Sequence, residues 1–421
     1  MNSTRRPHVV VLGGGFGGLE AAFLLRMRVG DKADVTLLTD QPDFLFKPNT
    51  IYIPFGLDPA ELTIDLRRPA ERAGVELHVE RVEGVDPRAG TVQTTGRLVP
   101  YDHLVVATGA SMRPAEVPGL AEHANTIWTP AEMLRLRASL GALVEAAREG
   151  TQRRVLFLIP PQNKCAGPLY EIAMMLDTWL RRRGVRDAVD ITWTTYERGY
   201  IQAFGPRLHE VVSAEFARRG ILGMTGMVVS EVVGHEVRYA GGATLPFDLL
   251  VSFPPYVAAA PQPLLPVDDR GFVATDQATR RVPGHPEVYA VGDAADFPVK
   301  QAFLALLQAD TAAELIAAQV LHTVPQAAFD PTSMCVMEQF DKATFAQVPL
   351  QLTGDAGLPV EVRPDALASY RVGSSPAWRL GKRLLGMYLP WRFRAGRPFH
   401  AGLPWRGMEA GLAIMSRVMA A

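Results

Sequence analysis

The sequence predicts an α/β protein: two Rossmann-like dinucleotide-binding domains, then an amphipathic C-terminal region facing a membrane. Three observations predict it. A short apolar strand runs into a glycine turn and a helix at 8–28, a second strand–loop–helix unit follows at 153–184, and cations interleave with aromatic residues from 371 onward. Apolar residues make up 48% and charged residues 21% of 421 residues, which excludes a disordered or fibrous chain and allows two to three domains.

The first unit, HVVVLGGGFGGLEAAFLLRMR (8–28), begins with a four-residue apolar run, as in a strand buried on both faces. Gly13-x-Gly15-x-x-Gly18 follows at once, and DVTLLTD (34–40) reads as the second parallel strand. Gly13 permits the tight turn, Gly15 lets backbone approach a pyrophosphate, and Gly18 lets helix and strand pack closely. The helix N-terminus then offers free N–H groups to phosphate, with Phe16 and Gly17 in its first turn. The acid that binds a ribose falls at Thr39 or Asp40, and spacing does not choose between them.

YDHLVVATGAS (101–111) and EVYAVGDAADF (287–297) each read as a strand ending in a glycine turn, Ala107-Thr108-Gly109 and Gly292-Asp293. In two-dinucleotide-fold flavoproteins such segments return the chain to the cofactor, which favours FAD over a bare nicotinamide dinucleotide. The unit at 153–184 tests for a second nucleotide. Its loop, Pro160 to Gly167, lacks the glycine pair and carries two prolines without N–H donors, so NAD(P)H is not expected as reductant.

Two cysteines, Cys165 and Cys335, exclude a disulfide-rich scaffold and a four-thiolate metal site, and no metal is expected. Cys165 precedes a helix N-terminus and follows Lys164, a placement that favours thiolate over thiol. Cys335 lies in a strand–turn–strand at 329–347. Whether the two thiols meet is open at this level. Lys300 opens a helix to about residue 321, which Asp310 and Glu314 disqualify as a membrane span. A cation and a helix N-terminus there would stabilise an anionic reduced flavin.

Formal net charge is −1, but residues 371–421 hold nine Lys/Arg against Glu409. Trp378, Trp391 and Trp405 lie among them, a mixture suited to a lipid interface rather than nucleic acid. No signal peptide is read, so a peripheral membrane protein on the cytoplasmic side is the expectation.

These residues resemble the sulfide:quinone oxidoreductase family and the related flavin subunit of flavocytochrome c sulfide dehydrogenase. The resemblance rests on Gly13–Gly18, DQPDFLFKPNTIYIPFG (40–56), CAGPLYE (165–171), FPPYVAA (253–259), VGDAADFPVK (291–300), Cys335 with FD at 340–341, and the basic aromatic tail. It implies the fold of FAD/NAD(P)-linked disulfide reductases, with FAD held non-covalently by Gly13, Gly15, Phe16, Gly17, Gly18, Thr39, Asp40, Lys47, Pro48, Ala107, Thr108, Gly109, Gly292, Asp293 and Lys300. The FAD domain would be split (1–115 and 266–330), with a second domain at 116–265 and a quinone and membrane region at 331–421.

The resemblance further implies sulfide oxidation by Cys165 and Cys335, growing a polysulfide between them. Glu171 would handle protons, and a membrane quinone would accept electrons near Lys300. Phe340, Phe345 and Phe399 would be the quinone-facing aromatics. Oligomeric state is open, a homo-oligomer included. Trp128 stands where many members carry a third cysteine, Glu132 and Gln202 where histidines are common, and Phe46 where a covalent flavin link would form. Two rivals are a soluble acceptor such as cytochrome c, and a non-catalytic FAD-binding sulfur-trafficking protein.

Overall fold

The computed structural model describes residues 5–260, 262–325 and 327–420. The glycine unit folds as β1 (His8–Leu12), α1 (Phe16–Val29) and β2 (Asp34–Thr39). β1 lies between β2 and the strand His103–Val106, parallel to both, with Val9 opposite Val35 and His103. The strands Glu76–Val79 and His285–Ala290 extend this sheet at either side, and Arg281–Val282 closes it antiparallel. Val9 to Leu12 are fully buried, as expected of a central strand covered on both faces.

A second parallel sheet is centred on β3 (Arg153–Ile159), joined through α2 (Gly167–Arg182) to β4 (Val189–Thr195). Ala166, rather than Gly167, takes the helix cap, and the helix ends in Arg181 and Arg182 near its negative pole. Ile172, Met175 and Leu176 are buried along one stripe. A two-stranded crossing, Ala110–Met112 against Tyr256–Ala258, ties the two sheets together.

The remaining elements close around the first sheet. α3 (Ala302–Leu321) packs beside α1. Of the described helices it is the one long and apolar enough to cross a membrane, yet 67% of its apolar window is buried inside the protein. β5 (Thr332–Glu338) and β6 (Ala343–Asp355) pair antiparallel, with Cys335 opposite Ala346. Two tail helices follow, α4 (Pro376–Arg394) and α5 (Gly402–Met419).

The tail does not lie wholly at an interface. Trp378, expected among the membrane-facing aromatics, is fully buried and stacks on Phe345, ring centroids 4.1 Å apart. Phe393 and Leu389 enter the core beneath α1. The opposite side of α4 exposes Leu380, Leu384, Met387 and Trp391, and α5 exposes Leu403, Ile414 and Val418.

Candidate functional site

The ends of β1, β2, His103–Val106 and β3 open on one cavity of about 830 Å³. Its floor is the glycine turn. Gly13 has φ +105°, and a Cβ there would sit 2.3 Å from the carbonyl oxygen of Ala107. A Cβ on Gly18 would sit 1.8 Å from the Gly13 oxygen, whereas one on Gly15 would meet nothing within 4 Å. Two glycines thus serve packing, and the third leaves open space above the N-terminus of α1, shaped for an anionic ligand. Gly15→Ala is therefore expected to keep the fold and lower the flavin-to-protein absorbance ratio. Gly18→Ala should lower both that ratio and the yield of folded protein.

Fourteen of the fifteen residues read as cofactor-binding line this cavity, Gly18 lying behind the wall. Thr39 is buried and exchanges hydrogen bonds with the backbone of Gln41, so its side chain is already engaged. Asp40 is exposed on the cavity and is the free acid at the end of β2. Lys47 lies 3.3 Å from the centroid of the Trp128 ring, a cation–π contact, and burial lowers its pKa to about 8.

Lys300 is not a solvated lysine at a helix start. It is buried, donates to the carbonyl of Ala295, and stands 3.7 Å from the Phe272 ring centroid. Burial lowers its pKa to about 7, opposed by Asp293, whose own pKa burial raises.

Cys165 and Cys335 are brought to the same cavity as free, half-buried thiols. The expectation of a stabilised thiolate at Cys165 is corrected. Burial pushes its pKa up strongly; Cys335, Asp293 and Glu171 add to the shift, and the N–H of Gly167 only partly opposes it. Lys164 does not offset this, because the charges it feels most are Asp268, Arg270 and Asp269. Burial and Glu171 likewise push Cys335 up to about 12, against Lys382.

Asn163 shapes the loop that carries Cys165. Its side chain is buried, donates to the Phe253 carbonyl (2.9 Å) and accepts the N–H of Cys165 (3.0 Å). Pro160 and Pro161 precede it, so this loop has neither the donors nor the glycines that a second pyrophosphate needs. NADH at concentrations that saturate pyridine-nucleotide enzymes should leave the flavin band unbleached under anaerobic conditions. Rapid bleaching would refute this.

Glu171 lines the cavity and is paired. Its carboxylate accepts the N–H of Glu338 (2.7 Å) and forms an ion pair with Lys382 of α4, which also donates to the Val336 carbonyl (2.8 Å). Burial raises the Glu171 pKa; Lys382 opposes the rise. Beside it, buried Glu338 accepts from Tyr52 (2.9 Å) and Arg379 (2.7 Å). Lys382, Arg379 and Asn163 were not singled out from sequence. Their partners lie far away in the chain, and a solvated cation has the same composition signal as a buried one.

Glu132 and Gln202 occupy the expected histidine positions differently. Glu132 is spent in the capping box of the helix Pro130–Arg148, accepting Thr129 N–H at 2.6 Å and Trp128 N–H at 2.9 Å. Gln202 donates its N–H to Glu197, a cavity-lining acid that burial raises to about 7.

Of the three aromatics expected at the quinone, Phe399 lines the cavity. Phe345 does not, because it is core beneath Trp378. Phe340 does not either: it packs outside, against Tyr52 and Phe55.

Residues 7–148 match the family model described as pyridine nucleotide-disulphide oxidoreductase. The X-ray structure of the sulfide:quinone oxidoreductase from the hyperthermophilic bacterium Aquifex aeolicus superposes with TM-score 0.83 at 23% identity, covering 96% of this chain and 95% of that one. The sulfide-quinone reductase of Aquifex aeolicus is 33% identical over 238 residues, 55% of this chain and 54% of its own length. The chain is thus similar in sequence to a sulfide-quinone reductase over about half its length, and it shares the fold of the Aquifex structure along nearly all of it.

The match spans about half the length of that Aquifex relative. A mouse relative, the mitochondrial sulfide:quinone oxidoreductase, is 25% identical over 309 residues, 70% of this chain and 66% of its own length. The residues that line the cavity fit an FAD held without a covalent link. The Gly15 cradle is open, Asp40 is free at the end of β2, and Phe46 offers no nucleophile for a covalent bond.

Proposed function

We propose that the chain oxidises sulfide through Cys165 and Cys335 and passes the electrons to a quinone at a membrane surface. The observation that supports it best is that one cavity holds the glycine cradle, both cysteines, and the apolar end formed by Phe303, Leu385, Leu389 and Phe399. FAD, when bound, supplies the two-electron relay between the sulfur half and the quinone half.

The sulfur chemistry follows from the thiol environments. Burial penalises a thiolate at either cysteine, and the resting state of this proposal is the neutral one in which Cys165 and Cys335 are bonded to each other or through sulfane sulfur. HS⁻ attacks one bridging sulfur, an S–S bond forms, the bridge breaks, and the other cysteine leaves as thiolate. Re-closing the bridge through the added sulfur releases two electrons and one proton. Glu171, paired with Lys382 on the cavity wall, is the acid placed to receive that proton. On the outside, Leu380, Leu384, Met387 and Trp391, with the basic residues of α4, suit a lipid surface.

Anaerobic addition of sulfide should bleach the flavin band, and a quinone analogue should restore it. A band unmoved by sulfide would refute the donor. A band that only cytochrome c restores would refute the acceptor.

A further inference from the structure

Three ionisable side chains meet between α1, α3 and the segment before α5. Glu20 of α1 is fully buried and accepts the N–H groups of Phe399 (2.6 Å) and His400 (2.9 Å). Asp310 of α3 is bonded to Nδ1 of His400. One polar atom from each of the three lies within 4.8 Å of the others. Holding two backbone N–H groups needs only Glu20. The Asp310–His400 pair is surplus to that task, and it leaves Nε2 of His400 and Oδ1 of Asp310 buried without a partner among the described residues.

The His400 ring packs against Phe303 (5.4 Å between centroids), Phe399 (4.7 Å) and Trp405 (4.5 Å). Phe303 and Phe399 are cavity wall at the apolar end. The imidazole therefore stands one ring behind the surface where an apolar acceptor would rest, and the aromatic and aliphatic side chains of that end have no proton to give.

We propose that Glu20, Asp310 and His400 form the proton store for quinone reduction at this end of the cavity. The inference rests on the quinone reading above. Converting a quinone to its quinol takes two electrons, which the proposed activity supplies, and two protons. The neutral His400 ring gives the Nε2 proton to a quinone oxygen through one water, while Nδ1 takes the proton of Asp310. To reset, a solvent proton reaches Nε2 through the same water as Nδ1 returns its proton to Asp310, and a second cycle completes the quinol.

Burial supports this loading. It holds Glu20 up at about 8 and Asp310 at about 7, so carboxyl protons are present at neutral pH, and it lowers His400, which keeps the ring neutral. The charges facing the cluster are Glu314 and Arg28, paired with each other beside Asp310, Glu409 near His400, and Arg392 near Tyr388.

The test uses the full flavin-loaded chain, reduced beforehand with dithionite, and its His400→Gln and Asp310→Asn variants. Reoxidation is followed by stopped flow with a water-soluble quinone and with ferricyanide, which takes electrons but no protons. Both variants should slow the quinone reaction by about a hundredfold and leave the ferricyanide reaction as in the parent. Independently of turnover, the parent should show an infrared carbonyl band of a protonated buried carboxyl that fades as pH passes about 8 and weakens in Glu20→Gln.

Equal slowing with both acceptors, an unchanged quinone rate, no titrating carboxyl band, or a stoichiometric divalent ion on the three side chains would each overturn the proposal. A parent that fails to react with quinone at all would overturn the acceptor reading instead.

Discussion

Replacing either Cys165 or Cys335 by serine should stop sulfide from bleaching the flavin, a loss of at least about 10³-fold in the reductive rate, as for other obligatory nucleophiles. Both variants should keep the flavin, because neither side chain belongs to the glycine cradle. The reason for all-or-none behaviour is that each sulfur is half of one bond. With one serine no bridge exists for HS⁻ to open. The surviving thiol also stays protonated, since burial raises both pKa values and serine relieves little of that burial. Stopped-flow absorbance under anaerobic conditions measures this directly. Rapid bleaching in either single variant would mean that sulfide reaches the flavin without the cysteine pair.

The second large effect concerns stability. Lys382→Met should destabilise the protein by about 3–5 kcal/mol at mildly alkaline pH, the usual cost of removing one partner of a buried ion pair. Glu171 would be left ionised in a site where burial already raises its pKa, and that rise grows once the opposing ammonium is gone. An acid with a raised folded pKa binds more protons folded than unfolded. Its contribution is fully present below the unfolded value and is lost as pH rises through the folded one. The defect should therefore shrink in mildly acidic buffer, and Glu171→Gln in the same chain should recover most of it. Denaturant midpoints at two pH values decide the matter. An unchanged midpoint in alkaline buffer would show that the pair contributes nothing.

Local features were legible and long-range pairings were not. The glycine turn could be read because its demands are met within about a dozen residues: φ +105° at Gly13 and close packing at Gly18 follow from the strand–turn–helix geometry itself. The helix after Cys165 could be read from its periodicity. Its neighbour's charge could not, because Lys164 faces Asp268 and Asp269, and adjacency in sequence says nothing of direction. The tail misled in a similar way. Composition adds both sides of α4 together, so Trp378, Lys382 and Arg379 counted toward an interface although each turns inward. The resemblance implies Phe340 and Phe345 at the quinone, yet on β5–β6 the stacking on Trp378 decides where Phe345 goes.

One helix, α4, presents Leu380, Leu384, Met387 and Trp391 outward and seals Glu171 inward. Trimming the tail would unseat the wall beside Cys335, so it does not test the proposed lipid contact cleanly. Repainting the four outward positions with polar residues, while the inward ones stay as they are, does. Such a repainted chain would separate the proposed lipid contact from the proposed sulfur chemistry.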